Sequence, residues 1–487
     1  MRRPTTVREL KKSGHRVLPV KEEIRKNLAA KIRAREPIFP GIVGYEKTVL
    51  PQIENALLAK HDLLLLGLRG QAKTRLIRAL PALLDPEVPA MAGCAINDDP
   101  FRPICARCRR VLSEVGDEAE IRWVAREARF NEKLATPDVT MADLIGDIDP
   151  VKAARERLDF SDEGVIHYGI IPRTNRGIFA LNELPDLQAR IQVGLLNILE
   201  EKDIQIRGFP VRLPVDLLLV FTANPEDYTN RGNIITPLKD RIDSQIITHY
   251  PQTIEDAMAI TTQESWAERG EPIRVPAFLR EIVEEIAFEA RKSEFVDQSS
   301  GVSARLPITV YESLLSNVER RALLTAEPRR TARMCDLYAT LPAITGKIEL
   351  VYEGEQEGAT IVSLNLIGKA VNKVFQKHFP AVYKSKDASE KGSGPYKDVS
   401  DFFSGGGQLE IADDMPFAAY SAALSKVTGL ERLARKHLAV ADDEEAATAM
   451  EFVLDALHQN SLVAKEALDQ TVKFSDMLAN MFKNMKG

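Results

Sequence analysis

The residues with the clearest chemical meaning lie between positions 62 and 74, where the sequence reads DLLLLGLRGQAKT. A short apolar run, suited to a buried strand, ends at Gly67, and a helical pattern begins after a tight loop. Backbone N–H groups of such a loop hold phosphate oxygens, Lys73 reaches the terminal phosphates, and the Thr74 hydroxyl ligates Mg²⁺. The stretch therefore predicts a phosphate-binding loop composed of Gly67, Gly70, Gln71, Ala72, Lys73 and Thr74.

The loop departs from the usual motif at Ala72, which stands where the motif has its second glycine. Alanine is the smallest replacement, and we expect a helical backbone at this position, which alanine tolerates well. The alternative interpretation of the stretch is an ordinary strand–helix turn with a solvated lysine.

Two later apolar stretches end in polar residues that suit nucleotide hydrolysis. In residues 177–183 (GIFALNE), Glu183 is placed to orient an attacking water, and Asn182 stands where an aspartate normally helps to hold Mg²⁺. A neutral amide still accepts a hydrogen bond from a metal-bound water, so we expect weaker metal binding and slower hydrolysis. In residues 216–225 (DLLLVFTANP), Asn224 can hydrogen-bond the γ-phosphate and the attacking water.

Two arginines complete the set of candidate catalytic residues. Arg241 follows an acid at a predicted helix start, and an arginine offered to a neighbouring subunit's phosphate couples hydrolysis to assembly. Arg305 opens a predicted helix and could swing onto the γ-phosphate. Each candidate has an ordinary alternative: a solvated acid for Glu183, a turn residue for Asn224, and surface ion pairs for the arginines.

Three of the four cysteines, Cys94, Cys105 and Cys108, lie close together in the sequence. A Cys-x-x-Cys pair with a third cysteine nearby can supply three ligands to Zn²⁺. The alternative is a set of reduced, unliganded thiols, since so few cysteines do not make a disulfide framework. Candidates for a fourth metal ligand are Asp98, Asp99, the more distant His167, or water.

Strands that alternate with helices are needed to bring these residues together. The apolar runs at 63–66, 178–181 and 216–221 suit buried parallel strands, and residues 187–199 carry apolar side chains at helical spacing. This alternation predicts an α/β domain with a three-layer arrangement. Beyond residue 250 the buried strands give way to successive helical patterns.

Changes in composition divide the chain further. We predict a basic N-terminal arm (1–37), an α/β nucleotide-binding core (38–250) with an insert at about 135–171, a helical lid with short linker elements (251–383), a glycine-containing flexible linker (384–408) and a helical C-terminal extension (409–487).

The overall composition excludes several classes of protein. Hydrophobic residues make up 44% of the chain and charged residues 28%, as in a globular protein, and the formal charge of −6 is small for 487 residues. No bulk charge therefore attracts nucleic acid or anionic membrane, and no helix-turn-helix or zinc-finger module is evident. With neither an 18-residue apolar run nor a signal peptide, we expect a cytoplasmic protein without a membrane span.

These motifs resemble the AAA+ ATPases, and within them the magnesium-chelatase I-subunit and MoxR-like group, over about residues 40–341. A Gly-Ile-Val-Gly sequence that includes Val43 and Gly44 is similar to the motif that contacts the adenine in that family. Residues 135–149 and 171–177 are similar to its helix-2 insert. The cysteine segment also resembles a loop found in some chelatase I subunits.

The resemblance implies a P-loop core with a parallel sheet and a helical lid, ATP and Mg²⁺ as cofactors, and ATP hydrolysis. It implies a homo-hexameric ring that remodels a separate partner protein, one with a von Willebrand A domain, since this chain lacks the D-x-S-x-S motif of such domains. Two alternatives stay open: the motor subunit of a metal chelatase, against which the long C-terminal extension argues, and a weakly hydrolysing, nucleotide-gated scaffold, suggested by Asn182. The residues to which the resemblance assigns roles are Lys73, Thr74, Glu183, Asn224, Arg241 and Arg305.

Overall fold

The computed structural model describes residues 3–157, 163–201, 203–205, 212–225, 233–382, 394–468 and 470–477. The chain forms two compact units, residues 1–249 and 250–487. Within the described residues, no helix is both long and apolar enough to cross a membrane.

The first unit alternates strands and helices. Its described strands are β1 (Leu63–Leu66), β2 (Glu87–Met91), β3 (Ile121–Ala125), β4 (Phe130–Leu134), β5 (Gly146–Ile148), β6 (Ile166–Tyr168), β7 (Gly177–Asn182), β8 (Asp203–Gln205), β9 (Arg212–Pro214), β10 (Leu217–Ala223) and β11 (Ser244–Ile247). Its described helices are α1 (Val7–Lys12), α2 (Val20–Ala34), α3 (Val49–Leu58), α4 (Lys73–Ala79), α5 (Ala106–Val115), α6 (Met141–Leu144), α7 (Pro150–Glu156), α8 (Ile170–Arg173), α9 (Ala189–Glu200) and α10 (Thr236–Arg241).

Five of these strands form a parallel sheet in the order β11-β1-β10-β7-β4. Alternate residues of β1 enter two different hydrophobic clusters, Leu64 on one face and Leu63 and Leu65 on the other. The sheet is therefore covered on both faces, as its continuous apolar strands require. The predicted α/β fold with a parallel sheet is confirmed.

The register of the sheet aligns the ends of its strands. Leu66 at the end of β1 lies opposite both Ala223 of β10 and Ile247 of β11. On the other side of β10, Leu181 of β7 pairs with Phe221. Because the strands are parallel, the segments that follow β1, β7, β10 and β11 all emerge at one edge of the sheet.

The predicted basic arm is instead integrated into the first unit. Helix α2 buries Val20, Ile24 and Leu28 in the hydrophobic cluster on one face of the sheet. Its Glu23 forms a buried, bidentate ion pair with Arg129, at 2.8 and 2.6 Å. The lysines and arginines of this region lie mainly on exposed faces. The prediction from composition therefore overlooked an apolar stripe at helical spacing among them.

Smaller elements extend the first unit beyond the main sheet. Strands β2 and β3 form an antiparallel pair, and β5 and β6 form another within the predicted insert. Helices α6, α7 and α8 lie in the insert or at its end, while residues 158–162 of it fall outside the described part of the chain.

The second unit is mainly helical. Its described helices are α11 (Ile254–Glu264), α12 (Ala277–Ala290), α13 (Arg305–Thr325), α14 (Met334–Tyr338), α15 (Leu341–Thr345), α16 (Tyr352–Glu357), α17 (Ala359–His378), α18 (Lys397–Ser404), α19 (Phe417–Leu424), α20 (Leu430–His437) and α21 (Asp443–Gln459). Its described strands are β12 (Leu409–Ala412), β13 (Val463–Leu468) and β14 (Thr471–Asp476).

Two predictions for the second unit need correction. Residues 384–393 of the predicted linker lie outside the described residues, but its second half forms α18, which buries Val399 and Phe403. The C-terminal extension is not wholly helical, because β12, β14 and β13 form an antiparallel sheet in that order. Strands β13 and β14 pair as an antiparallel hairpin, from Val463–Asp476 to Leu468–Thr471. Val472 and Phe474, two residues apart in β14, both pack on the core of the second unit, a spacing that the helical interpretation missed.

Candidate functional site

The predicted phosphate loop joins β1 to α4 through two residues with positive φ. Gly70 has φ 74° and Ala72 has φ 54°, and the helix begins at Lys73. Ala72 is thus left-handed rather than helical, which corrects the reason given above for tolerating alanine there. A left-handed alanine costs about 1 kcal/mol or more relative to glycine. The loop keeps its conformation in spite of this strain.

Lys73 lies across the mouth of the loop. Its ammonium donates hydrogen bonds to the carbonyl oxygens of Gly67 and Leu68, the latter at 3.0 Å. Thr74 follows in the first turn of α4 and is exposed. Lys73 and Thr74 are therefore the first two residues of α4. This is the position from which an ammonium can bind phosphate oxygens and a hydroxyl can bind Mg²⁺.

Gln71 stabilises the loop from within. Its side chain is buried, and its Oε1 accepts a hydrogen bond from Thr248 Oγ1 at 2.7 Å, just beyond the end of β11. A Cβ at Gly67 would lie 1.9 Å from Thr248 Oγ1 and 2.2 Å from Gln71 Oε1. Glycine is therefore required at position 67 so that this hydrogen bond can cross the loop.

Tyr45 links the predicted adenine-contact motif to the same loop. Its hydroxyl lies 2.9 Å from the carbonyl oxygen of Gln71 and 2.7 Å from that of His249, and its single proton is shared between these two acceptors. Val43 and Gly44, which has φ 82°, immediately precede this tyrosine. They therefore lie beside the phosphate loop, and a contact with a nucleotide base stays a prediction for them.

The end of β7 carries Asn182 and Glu183. Glu183 is exposed and has a left-handed backbone, with φ 58° and ψ 50°. Its N–H donates to Thr222 Oγ1 at 2.9 Å, and the same hydroxyl donates to Asn182 Oδ1 at 3.3 Å. Because only β10 separates β7 from β1, both residues share the sheet edge of the phosphate loop.

Asn224 follows β10 directly beside the phosphate loop. The preceding residue, Ala223, accepts a backbone hydrogen bond from Gly67 at 3.1 Å. The Asn224 Oδ1 atom is buried, and no hydrogen-bond donor reaches it among the described residues. A buried acceptor without a partner suits a site that is completed by an external donor, such as a water next to a phosphate.

The two predicted arginines occupy different places. Arg241 ends α10 and donates to Glu200 Oε2 at 2.7 Å and to the Pro237 carbonyl at 3.0 Å. The hydrogen bond with Glu200 raises the pKa of Arg241, whose side chain is about one-third exposed, at 32%. Arg305 belongs to the second unit, where it begins α13 and donates its backbone N–H to Ser303 Oγ. Roles for both at a phosphate stay predictions.

The cysteine segment folds into a compact cluster with one acid. Cys94, Asp98, Cys105 and Cys108 are all buried, and their ligand atoms lie within 4.8 Å of one another. Asp98 Oδ2 accepts the Cys105 N–H at 3.0 Å, while Oδ1 has no hydrogen-bond partner among the described residues. Three thiols and one carboxylate oxygen make a four-donor set that could hold a metal ion such as Zn²⁺.

The protonation of the cluster follows from its crowding. Hydrogen bonds with Cys105 and Cys108 lower the pKa of the Cys94 thiol. Burial, and then the negative charge of Cys94, raise the pKa of Asp98. The hydrogen bond with Cys108 raises the pKa of Cys105, and against the effect of the hydrogen bond with Cys105, the hydrogen bond with Cys94 and burial raise the pKa of Cys108. The metal-free cluster thus favours a thiolate at Cys94 and protonated neighbours, and a cation that binds all four donors would displace those protons. Asp99 and His167, the other candidate ligands, are not part of this group.

Sequence reasoning missed three residues that organise the phosphate site: Tyr45, Thr222 and Thr248. Thr222 is a polar residue in an otherwise apolar strand, and this contrast was a usable indication of its importance. Tyr45 and Thr248 carry no comparable indication, because their partners in the loop are 26 and 177 residues away in the chain.

Comparison with known proteins gives weak similarities only. No protein-family model and no curated protein matches the chain. Among solved structures, it is similar to the BchI–BchD complex of magnesium chelatase (18% identity, 70% of this chain and 99% of that chain covered, TM-score 0.31). It is also similar to a candidate ATPase from Cytophaga hutchinsonii (17%, 75% and 98%, 0.30) and to NtrX from Brucella abortus in complex with ATP (14%, 72% and 68%, 0.36). With TM-scores below 0.5, these similarities carry no argument about the residues of this chain.

Proposed function

We propose that this chain is an ATPase that binds MgATP at the loop of residues 67–74. The observation that supports this most is the convergence of chemically suited groups at one sheet edge. The phosphate loop follows β1, the Asn182–Glu183 pair ends β7, and Asn224 follows β10 with its amide oxygen buried and unpartnered. The backbone hydrogen bond from Gly67 to Ala223 aligns the ends of β1 and β10, and this alignment supports a ligand shared by the segments that follow the strands.

Each group has a distinct task in the proposed reaction. Loop N–H groups and the Lys73 ammonium bind the phosphates, and the Thr74 hydroxyl and Asn182 amide would hold Mg²⁺ directly or through water. Mg²⁺, when bound, would neutralise negative charge on the phosphate oxygens. The Glu183 carboxylate accepts a hydrogen bond from the attacking water and orients it, while Asn224 Oδ1 accepts from the same water.

The metal-binding capacity of Asn182 is the weakest part of this arrangement. An amide oxygen lacks the full negative charge of the usual aspartate, and one of its lone pairs already accepts the Thr222 hydroxyl. We therefore expect slow turnover rather than loss of nucleotide binding. A weakly hydrolysing, nucleotide-gated scaffold is the alternative that this residue favours.

The test is nucleotide binding by a Lys73→Ala variant, measured by calorimetry with MgATP. Removing the charge aimed at the terminal phosphates should weaken affinity by about tenfold or more. Lys47→Ala, which removes an exposed lysine of the same unit, is the matched control and should bind as the parent does. Equal affinity of the parent and Lys73→Ala would refute the phosphate-loop assignment.

Assembly and biological role rest on the sequence resemblance. We propose an AAA+ type homo-hexameric ring in which hydrolysis remodels a separate partner chain with a von Willebrand A domain. The exposure of Arg241 on the surface of the first unit is compatible with a contact to a neighbouring subunit's phosphate. The motor subunit of a metal chelatase remains the second candidate, since the cysteine segment and the insert resemble parts of chelatase I subunits.

We also propose that the cysteine cluster binds Zn²⁺ as a structural ion. Support comes from the four buried donors and from the unpartnered Asp98 Oδ1. Three thiolates and a carboxylate leave no open position in a tetrahedral shell, which is typical of a structural rather than a catalytic zinc. The Cys94, Cys105 and Cys108 ligands predicted from the sequence would then be joined by Asp98.

A further inference from the structure

We propose that Thr222 is a positioning residue for Glu183 and Asn182, a role that rests on the ATPase function proposed above. Thr222 lies near the end of β10 and is 2% exposed. The last paired residues of β7 and β10 are Leu181 and Phe221, so Thr222 and Asn182 are the next residues along these neighbouring strands. The threonine side chain therefore meets the functional end of β7 across the sheet.

One hydroxyl serves both residues of β7. Thr222 Oγ1 accepts the backbone N–H of Glu183 at 2.9 Å and donates its own proton to Asn182 Oδ1 at 3.3 Å. The two hydrogen bonds use the hydroxyl in opposite directions, once as acceptor and once as donor, so they are compatible with each other. Loss of the hydroxyl would release both residues at once.

The hydrogen bond to Thr222 matters because the backbone of Glu183 has an unfavourable conformation. A left-handed conformation is unfavourable for a residue with a Cβ and persists only where neighbouring groups hold it. Two hydrogen bonds flank the strained residue: its N–H donates to Thr222, and its carbonyl accepts from the Asp186 N–H at 3.0 Å. Since φ and ψ fix where the Cβ points, holding this backbone sets the direction of the carboxylate.

Thr222 itself is too buried to act on a substrate, and its hydroxyl is engaged on both sides. Its effect must therefore pass through Glu183 and Asn182, and it should alter the rate of hydrolysis more than the affinity for nucleotide. A valine has the same shape without the hydroxyl, whereas a serine keeps the hydroxyl and loses only a methyl group. These two substitutions separate hydrogen bonding from packing.

The experiment compares Thr222→Val and Thr222→Ser with the parent, measuring kcat for MgATP and the Kd for MgATP separately. Thr222→Val should lower kcat by about tenfold or more while changing Kd by less than about threefold. Thr222→Ser should keep kcat within about threefold of the parent.

Thr448→Val is the matched control, because it removes an equally buried threonine hydroxyl from α21 of the second unit. It should leave kcat unchanged. If Thr222→Val turns over at the parental rate, or if Thr222→Ser is as slow as Thr222→Val, the positioning role is wrong while the ATPase function stands. If the parent itself hydrolyses no ATP, both the proposed function and this role fail.

Discussion

Ala72 and Glu183 carry left-handed backbone at two positions of the candidate nucleotide site, with φ 54° and 58°. Residues with a Cβ adopt this conformation at a cost, and such outliers cluster where surrounding structure holds a functional geometry. At Ala72 the strain lies at the entrance to α4, where the usual motif has glycine. At Glu183 it lies between two hydrogen bonds. Backbone strain is thus found both in the phosphate loop and at the end of β7.

Replacing Ala72 with glycine should stabilise the protein or leave its stability unchanged. Glycine removes the left-handed strain of about 1 kcal/mol, and this gain offsets the extra freedom that it gives the unfolded chain. The measurement is chemical denaturation followed through the transition of the first unit.

Ala30→Gly, at an exposed position inside α2, is the control for this change. Glycine in a helix interior should destabilise the first unit by about 1 kcal/mol. The left-handed assignment at Ala72 would be contradicted if both glycine substitutions destabilised the unit to the same extent.

Hydrogen bonds join the cysteine segment, residues 94–108, to the insert. Glu163 accepts hydrogen bonds from the Ala106 N–H at the start of α5, at 2.8 Å, and from the Tyr168 hydroxyl of β6, at 2.9 Å. The Asn97 amide donates to the Arg173 carbonyl at 3.3 Å, just before β7 begins. The segment that carries the candidate metal ligands is therefore hydrogen-bonded to the insert and to the residues just before β7.

Metal analysis of protein purified without chelators should give up to one zinc ion per chain. The double variant Cys105→Ser/Cys108→Ser should lose the metal, because two of the four donors are removed. It should also lower the Tm of the first unit, since binding energy at a structural site contributes to folding. Asp98→Asn should weaken metal binding without abolishing it, because an amide oxygen is a poorer ligand than a carboxylate.

Cys335→Ser is the control for the loss of a thiol, since Cys335 lies in α14 of the second unit and outside the cluster. That variant should keep its zinc. A parent protein that contains no metal, and whose Tm does not respond to added Zn²⁺, would favour reduced, unliganded thiols.

At the scale of the whole molecule, the second unit is one continuous structure rather than a lid, a linker and an extension. A single hydrophobic core contains Leu279 of α12, Val310 of α13, Phe403 of α18 and Phe474 of β14. Burial of residues from segments so far apart in the chain means that the C-terminal residues help to stabilise the helices that precede them. Truncation before residue 409 would expose this core to water.

Subunit mixing tests whether Arg241 acts on a neighbouring subunit. Arg241→Ala and Glu183→Gln should each be inactive as ATPases, and mixing the two proteins should restore part of the activity. If the proposed ring forms, a mixed ring would contain some interfaces that pair an intact arginine with an intact glutamate. The measurement is phosphate release as a function of the mixing ratio.

Arg432→Ala is the control for this experiment, because Arg432 is also an exposed arginine paired with an acid, Asp398, at 2.6 Å. It should retain parental activity. Full activity of Arg241→Ala alone would remove the catalytic role.

Local patterns in the amino-acid sequence were enough to predict the class of fold and the segments that could hold a nucleotide. Short apolar runs bounded by polar residues or glycine are typical of strands buried on both faces, and the loop at Gly67 follows one of them in a recognisable way. The α/β fold with a parallel sheet was therefore predictable. The candidate site residues were nameable from local patterns, and their roles in catalysis stay predictions.

Which groups meet follows from the folding of the whole chain. The strand order places β10 between β1 and β7, which brings the Thr222 hydroxyl to Glu183 from 39 residues away. Folding also brings Asp98, rather than Asp99 or His167, next to the three cysteines. It buries part of the basic N-terminal segment, where Glu23 pairs with Arg129, and it pairs C-terminal residues into a sheet. Local patterns report the periodicity of burial, whereas strand order, pairing and long-range hydrogen bonds depend on the packing of the whole chain.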